Sequence, residues 1–190
     1  IAQLAAGGKV SLDDRLGKWL PDYPNAAARE KVTLRHLLGM SGGIGDFFGE
    51  RFDATSKERF RANRDFLPLF AADPLQFEPG TSRRYSNGGF VVLGEVVAAV
   101  SDRDYHDYVR AEIFARAGMT ATDSYEADAI VPNLAEGYTR GERGDEPLRR
   151  NIYSRPARGS AAGGGYSTVD DLLAFTRALL ADALLPPAWT

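Results

Sequence analysis

Tyr85-Ser86-Asn87 is the tripeptide in this sequence whose side chains could do acid–base chemistry together. In a loop at the start of a helix, a phenol and a carboxamide two positions apart can point into one cleft. The amide offers a donor and an acceptor, and the phenol offers a transferable proton. A phenol keeps its proton up to a pKa of about 10, so it acts as a base near neutral pH only where cations favour the phenolate. Alone, the pattern is a weak signal, because turn chemistry explains such an asparagine and core packing such a tyrosine.

Ser41 is a second candidate, because Gly39-Met40-Ser41-Gly42-Gly43 matches the G-x-S-x-G nucleophile elbow of α/β-hydrolases. Asp102 or Asp104, followed by His106, would supply an acid and a base in the expected chain order. The elbow needs a strand before it and a helix after it, whereas here a capped helix precedes the motif and a glycine-broken run follows. The context therefore disfavours the elbow, which stays open as an alternative.

The two histidines and the glycine run Gly163-Gly164-Gly165 give no cofactor or metal site. Neither His36 nor His106 has a metal-ligand neighbour at helical spacing. His36 is expected to cap or pack its short helix, and His106 is expected to lie on a helix surface. The glycine run lacks the lysine and the spacing of a phosphate-binding loop, so it is predicted to form a tight turn.

The elements that must position these groups are predicted to be mainly helices. Thr33 is placed to cap a short helix, and the apolar run from Phe90 to Val100 predicts a buried one. A further helix is predicted from about Asp104 to Ala117, and the last helix follows capping signals at Ser167 and Thr168.

Two stretches have weaker patterns. Residues 57–72 keep an approximately helical period, and Pro68 is expected to split this segment in two. Residues 120–158 are polar and weakly patterned, and Glu136-Gly137-Tyr138-Thr139-Arg140 is the best short strand candidate. The chain has no internal repeat or interdomain linker, so a single domain is expected.

Composition excludes several classes of function. The chain has 190 residues, 44% of them hydrophobic and 26% charged, which is typical of one ordinary globular domain. With no cysteine, thiol catalysis and cysteine-ligated metal sites are excluded. The 23 basic and 26 acidic residues give a net charge of -3, so no nucleic-acid partner is predicted. Glu95 interrupts the longest apolar stretch, which falls short of the roughly 20 residues of a membrane span, so none is predicted.

Ordered sequence blocks along nearly the whole chain resemble the serine β-lactamase and penicillin-binding-protein-like family. The similarity is greatest to its branch of class C β-lactamases, esterases and D-alanyl-peptidases. The blocks include Gly8-Lys9-Val10-Ser11-Leu12-Asp13-Asp14, Val32-Thr33-Leu34-Arg35-His36-Leu37-Leu38, Ser41-Gly42, Pro79-Gly80, Tyr85-Ser86-Asn87, Gly118-Met119-Thr120, Gly137-Tyr138 and Gly164-Gly165-Tyr166-Ser167-Thr168 with Asp170-Asp171-Leu172.

The resemblance implies an α+β, β-lactamase/transpeptidase-like fold. Residues 1–190 would form a single partial domain, mostly its helical part with a few short strands. The family's S-x-x-K segment is expected upstream of Ile1 and its third-motif strand, K-T-G or H-x-G, beyond Thr190. Neither motif occurs in these 190 residues, so this chain alone is expected to be inactive.

The function that the resemblance implies is that of a serine acyl hydrolase. Such an enzyme hydrolyses a β-lactam, an ester or a D-amino-acid peptide through an acyl-enzyme. Tyr85 would help move protons and Asn87 would hold the acyl amide, while the nucleophilic serine and its lysine would come from upstream of Ile1. The partner would be a small-molecule or peptide acyl substrate, and no cofactor is expected.

Two other functions stay open at this stage. One is a non-catalytic relative that binds peptidoglycan-like peptides or a protein partner, and the other is an α/β-hydrolase esterase that uses Ser41. Relatives in bacteria are often periplasmic or secreted, but no export signal is visible here, and the sequence does not determine the oligomeric state.

Overall fold

The computed structural model describes residues 1–140, 144 and 146–190. In this part of the chain, helices provide nearly all of the regular structure. The α-helices are α1 (Ala2–Ala6), α2 (Leu16–Trp19), α3 (Ala26–Lys31), α4 (Leu34–Leu38), α5 (Glu50–Ala54), α6 (Asn87–Ser101), α7 (Tyr105–Val109), α8 (Ala115–Ala117) and α9 (Val169–Leu180). Short 3-10 helices lie at Lys57–Arg59, Asn63–Leu69 and Asn151–Tyr153, and a π-helical turn, Arg110–Phe114, joins α7 to α8.

The strands of the described residues form one short antiparallel pair, β1 (Tyr138–Thr139) and β2 (Arg149–Arg150). Tyr138 lies opposite Arg150 in this pair. The structure therefore confirms a mostly helical chain with few short strands, and the strand candidate at residues 136–140 is confirmed at its centre.

Helix α6 is the central element of the main core. Val91, Val92 and Val96 are fully buried on it, and the helix packs against the 3-10 helix Asn63–Leu69, α4 and α7. Branched and small side chains allow this close packing on more than one side, which is why the segment has no broad polar face. The prediction of a buried helix over residues 90–100 is confirmed, and the helix is longer at both ends.

A row of phenylalanines extends this core toward the start of α6. The ring centres of Phe52 and Phe60 are 5.3 Å apart, those of Phe60 and Phe66 are 4.8 Å apart, and those of Phe47 and Phe66 are 4.8 Å apart. Aromatic pairs at such distances add to the stabilisation from burial. The row joins the loop before α5 to the segment before α6.

The predicted helix starts at Thr33 and Thr168 are confirmed. Thr33 Oγ1 accepts a hydrogen bond from the backbone N–H of His36 at 3.2 Å, and His36 Nδ1 accepts one from the N–H of Thr33 at 3.3 Å. The expected capping role of His36 is therefore confirmed. At α9, Thr168 Oγ1 accepts from the N–H of Asp171 at 3.2 Å, so Thr168 rather than Ser167 is the cap.

Two predictions about helices are wrong. Pro68 does not split residues 57–72, because it lies inside the 3-10 helix Asn63–Leu69, and the break between the two 3-10 helices is at residues 60–62. His106 does not lie on a helix surface but is only 3% exposed. Its ring is buried because it bonds to a loop 53 residues further along the chain, which local spacing does not reveal.

Across the described residues, no helix has both the length and the apolarity needed to cross a membrane.

Gly88 lets α6 begin in close contact with the preceding loop, so Gly88→Ala tests this packing. A Cβ at this position would lie 2.3 Å from the carbonyl oxygen of Gly45 and 2.9 Å from the ring of Phe70. We expect a loss of about 2 kcal/mol in the free energy of unfolding, despite alanine's better helix propensity. Urea denaturation measures the loss, and Gly165→Ala, whose Cβ would make ordinary contacts at 3.5 Å, is the control. Equal stability of the two variants would contradict the prediction.

Candidate active site

Asn87, the first residue of α6, is held at its side chain and its backbone by one carboxylate. Asp46 Oδ2 accepts from the Asn87 Nδ2–H at 2.8 Å and from its backbone N–H at 3.1 Å. The backbone N–H is one of those that a helix start leaves without an intrahelical acceptor, and a negative charge is favoured there. Sequence reasoning missed Asp46, which lies 41 residues before Asn87.

Tyr85 bonds directly to Asn87. Its side chain is 65% exposed, and its hydroxyl donates to Asn87 Oδ1 at 3.1 Å. This bond and the bond from Nδ2 to Asp46 use one acceptor position and one donor of the amide, which has two of each. The Asn87 side chain therefore keeps one N–H and one lone pair for another group.

Ser86, between these residues, fixes the direction of the backbone. Its hydroxyl donates to the carbonyl of Gly45 at 2.8 Å and accepts from the N–H of Gly89 at 2.8 Å. The buried Ser86 therefore serves as the N-cap of α6 and also ties the helix to the loop that carries Asp46. The central residue of the tripeptide is structural, and the residues on either side remain available for chemistry.

Asn87 lines a cleft of about 270 Å³, whereas Tyr85 lies outside its lining. The expectation that both side chains point into one cleft is therefore not met: Asn87 lines the cleft, and Tyr85 is attached to it through the hydrogen bond to Asn87. The other residues lining the cleft are Phe47, Phe48, Phe66, Tyr125, Arg155, Pro156, Ala157, Arg158, Gly159, Ser160, Ala162, Gly163 and Gly164.

The glycine run forms the tight turn that the sequence predicts. Gly163 and Gly164 have φ angles of +145° and +95°, and Ser160 pairs with Gly163 across the turn. A Cβ at Gly164 would lie 2.9 Å from the Cα of Gly159. The turn therefore depends on close backbone contact, and its glycines leave room in the cleft.

His106 attaches α7 to this turn. Its Nε2–H donates to the carbonyl of Gly159 at 2.8 Å, while its buried Nδ1 has no hydrogen-bond partner among the described residues and lies 3.5 Å from Asp104 Oδ1. Burial lowers the pKa of the imidazole below its ordinary value; the hydrogen bond to Gly159 opposes this effect, the nearby charge of Arg158 adds to it, and Asp104 opposes it. His106 therefore supports the cleft as a neutral imidazole.

Ser41 lies in a different setting from a nucleophile elbow. It follows α4, and residues 1–41, all of which the structure describes, contain no strand. Its hydroxyl donates to the carbonyl of His36 at 3.4 Å, so it belongs to the end of the helix. His106, the base in that alternative, is bonded to Gly159 instead.

The sequence contains a second Y-x-N tripeptide, Tyr23-Pro24-Asn25, which has a purely structural role. Tyr23 is 5% exposed, and burial, aided by the charge of Asp73, raises the pKa of its phenol. Asn25 caps α3 by accepting from the N–H of Ala28 at 3.0 Å. Two residue types at this spacing thus do not define a site, and of the two tripeptides only the one at residues 85–87 borders the cleft.

Comparisons with known proteins show which proteins this chain is similar to. Residues 1–190 match the sequence profile of the family described as Beta-lactamase. Penicillin-binding protein 4* of Bacillus subtilis (strain 168) is 28% identical over 199 residues, an alignment that covers 99% of this chain and 43% of that protein.

Two crystal structures are similar to this chain over nearly its whole length. A penicillin binding protein from Bacillus halodurans has a TM-score of 0.87 and 35% identity, over 98% of this chain and 57% of its own. A D-stereospecific amidohydrolase from Streptomyces sp. has a TM-score of 0.80 and 30% identity, over 98% of this chain and 58% of its own. These similarities confirm the expected fold, and the chain spans from 43% to 58% of the length of the three proteins.

Asp46→Ala should destabilise the protein and release the Asn87 side chain from its hydrogen bond to residue 46. Removing the carboxylate leaves the first N–H of α6 and the Asn87 amide without their acceptor, so we expect a loss of about 1–2 kcal/mol in the free energy of unfolding. Asp170→Ala is the matched control, because Asp170 is an exposed acid in the first turn of α9. A double-mutant cycle with Asn87→Ala should give a coupling of about 1 kcal/mol, and a coupling near zero would contradict the geometry.

Acid should weaken the cleft through His106. The ring has a lowered pKa when folded and an ordinary pKa of about 6.5 when unfolded, so between the two values the unfolded chain binds more protons. The neutral His106 ring therefore contributes fully to the free energy of unfolding above about pH 6.5. This contribution is lost as the pH falls toward the pKa of His106 in the folded protein. Urea denaturation at pH 7 and pH 5 should show a smaller decrease for His106→Gln than for the unchanged protein. An equal decrease would show that other groups cause it.

Proposed function

Because the chain belongs to the β-lactamase family, we propose that it provides the Tyr85–Asn87 half of the active site of a serine acyl hydrolase. The observation that carries this proposal is the Tyr85–Asn87–Asp46 chain of hydrogen bonds beside the cleft. The proposal applies to the full-length protein, in which the serine and lysine of an S-x-x-K motif would lie N-terminal to Ile1. The third motif would lie beyond Thr190.

The proposed reaction has two steps. The serine oxygen bonds to the acyl carbonyl carbon, the C–O bond of an ester or the C–N bond of an amide or lactam breaks, and the serine proton passes to the leaving oxygen or nitrogen. Water then attacks the acyl-enzyme, which releases the acid and restores the serine. Tyr85, whose hydroxyl is exposed and bonded to Asn87, is the residue of this chain suited to carry that proton.

Asn87 would hold the acyl group during both steps. Its remaining N–H and lone pair match the carbonyl and the N–H of an acyl amide. Asp46 fixes the amide plane before substrate arrives, so little orientational freedom is lost on binding. The relatives named for penicillin binding and D-stereospecific amide hydrolysis support a cyclic or linear amide as substrate class, and an ester remains within the same chemistry.

Covalent labelling tests the proposed nucleophile. We expect a fluorophosphonate to label the full-length protein at a serine N-terminal to Ile1, as mapped by peptide mass spectrometry. Labelling at Ser41 would instead establish the elbow mechanism. A protein that is neither labelled nor active on any ester or amide would be a non-catalytic relative that binds peptides or a protein partner.

Substitutions test the roles of the two site residues. Tyr85→Phe and Asn87→Ala should each lower kcat/KM for an amide or ester by about 100-fold or more, because proton transfer and orientation are lost. Ser41→Ala and Tyr153→Phe are the controls and should change it by less than about twofold, since Tyr153 is 87% exposed and outside the cleft. Full activity of Tyr85→Phe together with inactivity of Ser41→Ala would reverse the assignment.

A further inference from the structure

Two arginines line the Asn87 cleft. Arg155 and Arg158 are both half-buried there, and neither takes part in an ion pair among the described residues. Other arginines of the chain do: Arg61 pairs with Glu126 and Asp128, and Arg110 pairs with Asp107 and Asp123. Partly desolvated guanidinium groups favour an anionic acceptor, and the cleft residues do not supply one.

The hydrogen bond that Arg158 makes leaves one paired edge of its guanidinium free, whereas Arg155 keeps no such edge. Arg158 donates through Nε to the carbonyl of Ser124 at 2.8 Å, which leaves its Nη1 and Nη2 edge. Arg155 donates through Nη1 to the Tyr166 hydroxyl, and its buried Nε has no acceptor in the described part of the chain. The free edge of Arg158 has two parallel N–H groups, the arrangement that binds a carboxylate in bidentate fashion.

Apolar side chains also line the cleft, and they limit further the kind of ligand that can bind there. Phe47, Phe48 and Phe66 line the same cleft, and Phe48 is 60% exposed although its ring packs on those of Phe47 and Phe52. An exposed phenylalanine next to such a cleft gains from being covered by an apolar group. A ligand that fits both features has an apolar or aromatic portion and a carboxylate.

We propose that this cleft binds the acyl portion of the substrate and selects acyl groups in which an aromatic or apolar segment carries a carboxylate. The proposal rests on the proposed function. The acyl side is favoured because Asn87, which would hold the acyl amide, lines the cleft, whereas Tyr85, which would serve the leaving group, lies outside the lining. Arg158 is the main anchor and Arg155 the second.

A pair of matched esters tests the selection in the full-length protein. The substrates are the 4-nitrophenyl esters of 4-carboxyphenylacetic acid and of 4-carbamoylphenylacetic acid, which share size and leaving group and differ in charge. We expect kcat/KM for the charged ester to be about tenfold higher, because a bidentate bond to a charged group is formed. Arg158→Gln should remove most of this preference, measured as the ratio of kcat/KM for the two esters, and Arg155→Gln should remove less. Arg177→Gln, a charge loss on exposed α9, is the matched control and should keep the preference.

Each outcome decides one of the two proposals. If both esters are hydrolysed with equal kcat/KM, the carboxylate selection is wrong while the hydrolase function stands. If neither ester is hydrolysed and no serine is labelled, the proposed function fails and the inference fails with it. If Arg158→Gln and Arg177→Gln weaken the preference equally, the effect comes from net charge and not from the cleft, which also overturns the assignment.

Discussion

The contact between the Gly45–Asp46 segment, through the Gly45 carbonyl and the Asp46 carboxylate, and the first turn of α6 is the constraint on which the rest of the structure depends. Gly45 accepts from Ser86, Asp46 accepts twice from Asn87, and Gly88 must lack a side chain for the two segments to approach. Three polar bonds and one close backbone contact therefore fix the same few atoms. Because they act on both the helix start and the Asn87 amide, the fold and the candidate site share one set of interactions.

Helix α6 transmits this constraint to the far side of the cleft. The buried Asn63 donates to the carbonyl of Val91 at 2.8 Å and to Glu95 at 2.7 Å, and its oxygen accepts from the N–H of Ala161 at 2.9 Å. A single amide thus binds the middle of α6 and the glycine turn that lines the cleft. A buried amide whose nitrogen and oxygen are both bonded in this way specifies one arrangement, because any shift leaves a buried donor or acceptor without a partner.

The sequence predicted what depends on near neighbours and missed what depends on distant ones. The caps at Thr33 and Thr168, the buried helix and the glycine turn follow from residues within a few positions, so their patterns were sufficient. Asp46 and the burial of His106 depend on partners 41 and 53 residues away, and no local pattern encodes them. The two Y-x-N tripeptides make the same point, because only burial distinguishes Tyr23 from the exposed Tyr85. The family resemblance identified Tyr85-Ser86-Asn87 as the site, because that resemblance uses several sequence blocks in a fixed order along the whole chain.

The two sides of the cleft, the start of α6 and residues 155–164, are held in place differently. This difference suits one side to orienting a reacting group and the other to recognising the rest of a substrate. Asn87 belongs to a 15-residue helix anchored over its length, where displacement would disturb the core. Residues 155–164 have no helix or strand, and Asn63 and His106 hold them to the scaffold through the Ala161 N–H and the Gly159 carbonyl. Groups that orient a reacting carbonyl must stay within fractions of an ångström, which a helix start provides. Groups that recognise the rest of a substrate do not need such precise positions. The irregular segment carries the arginines that would recognise the substrate.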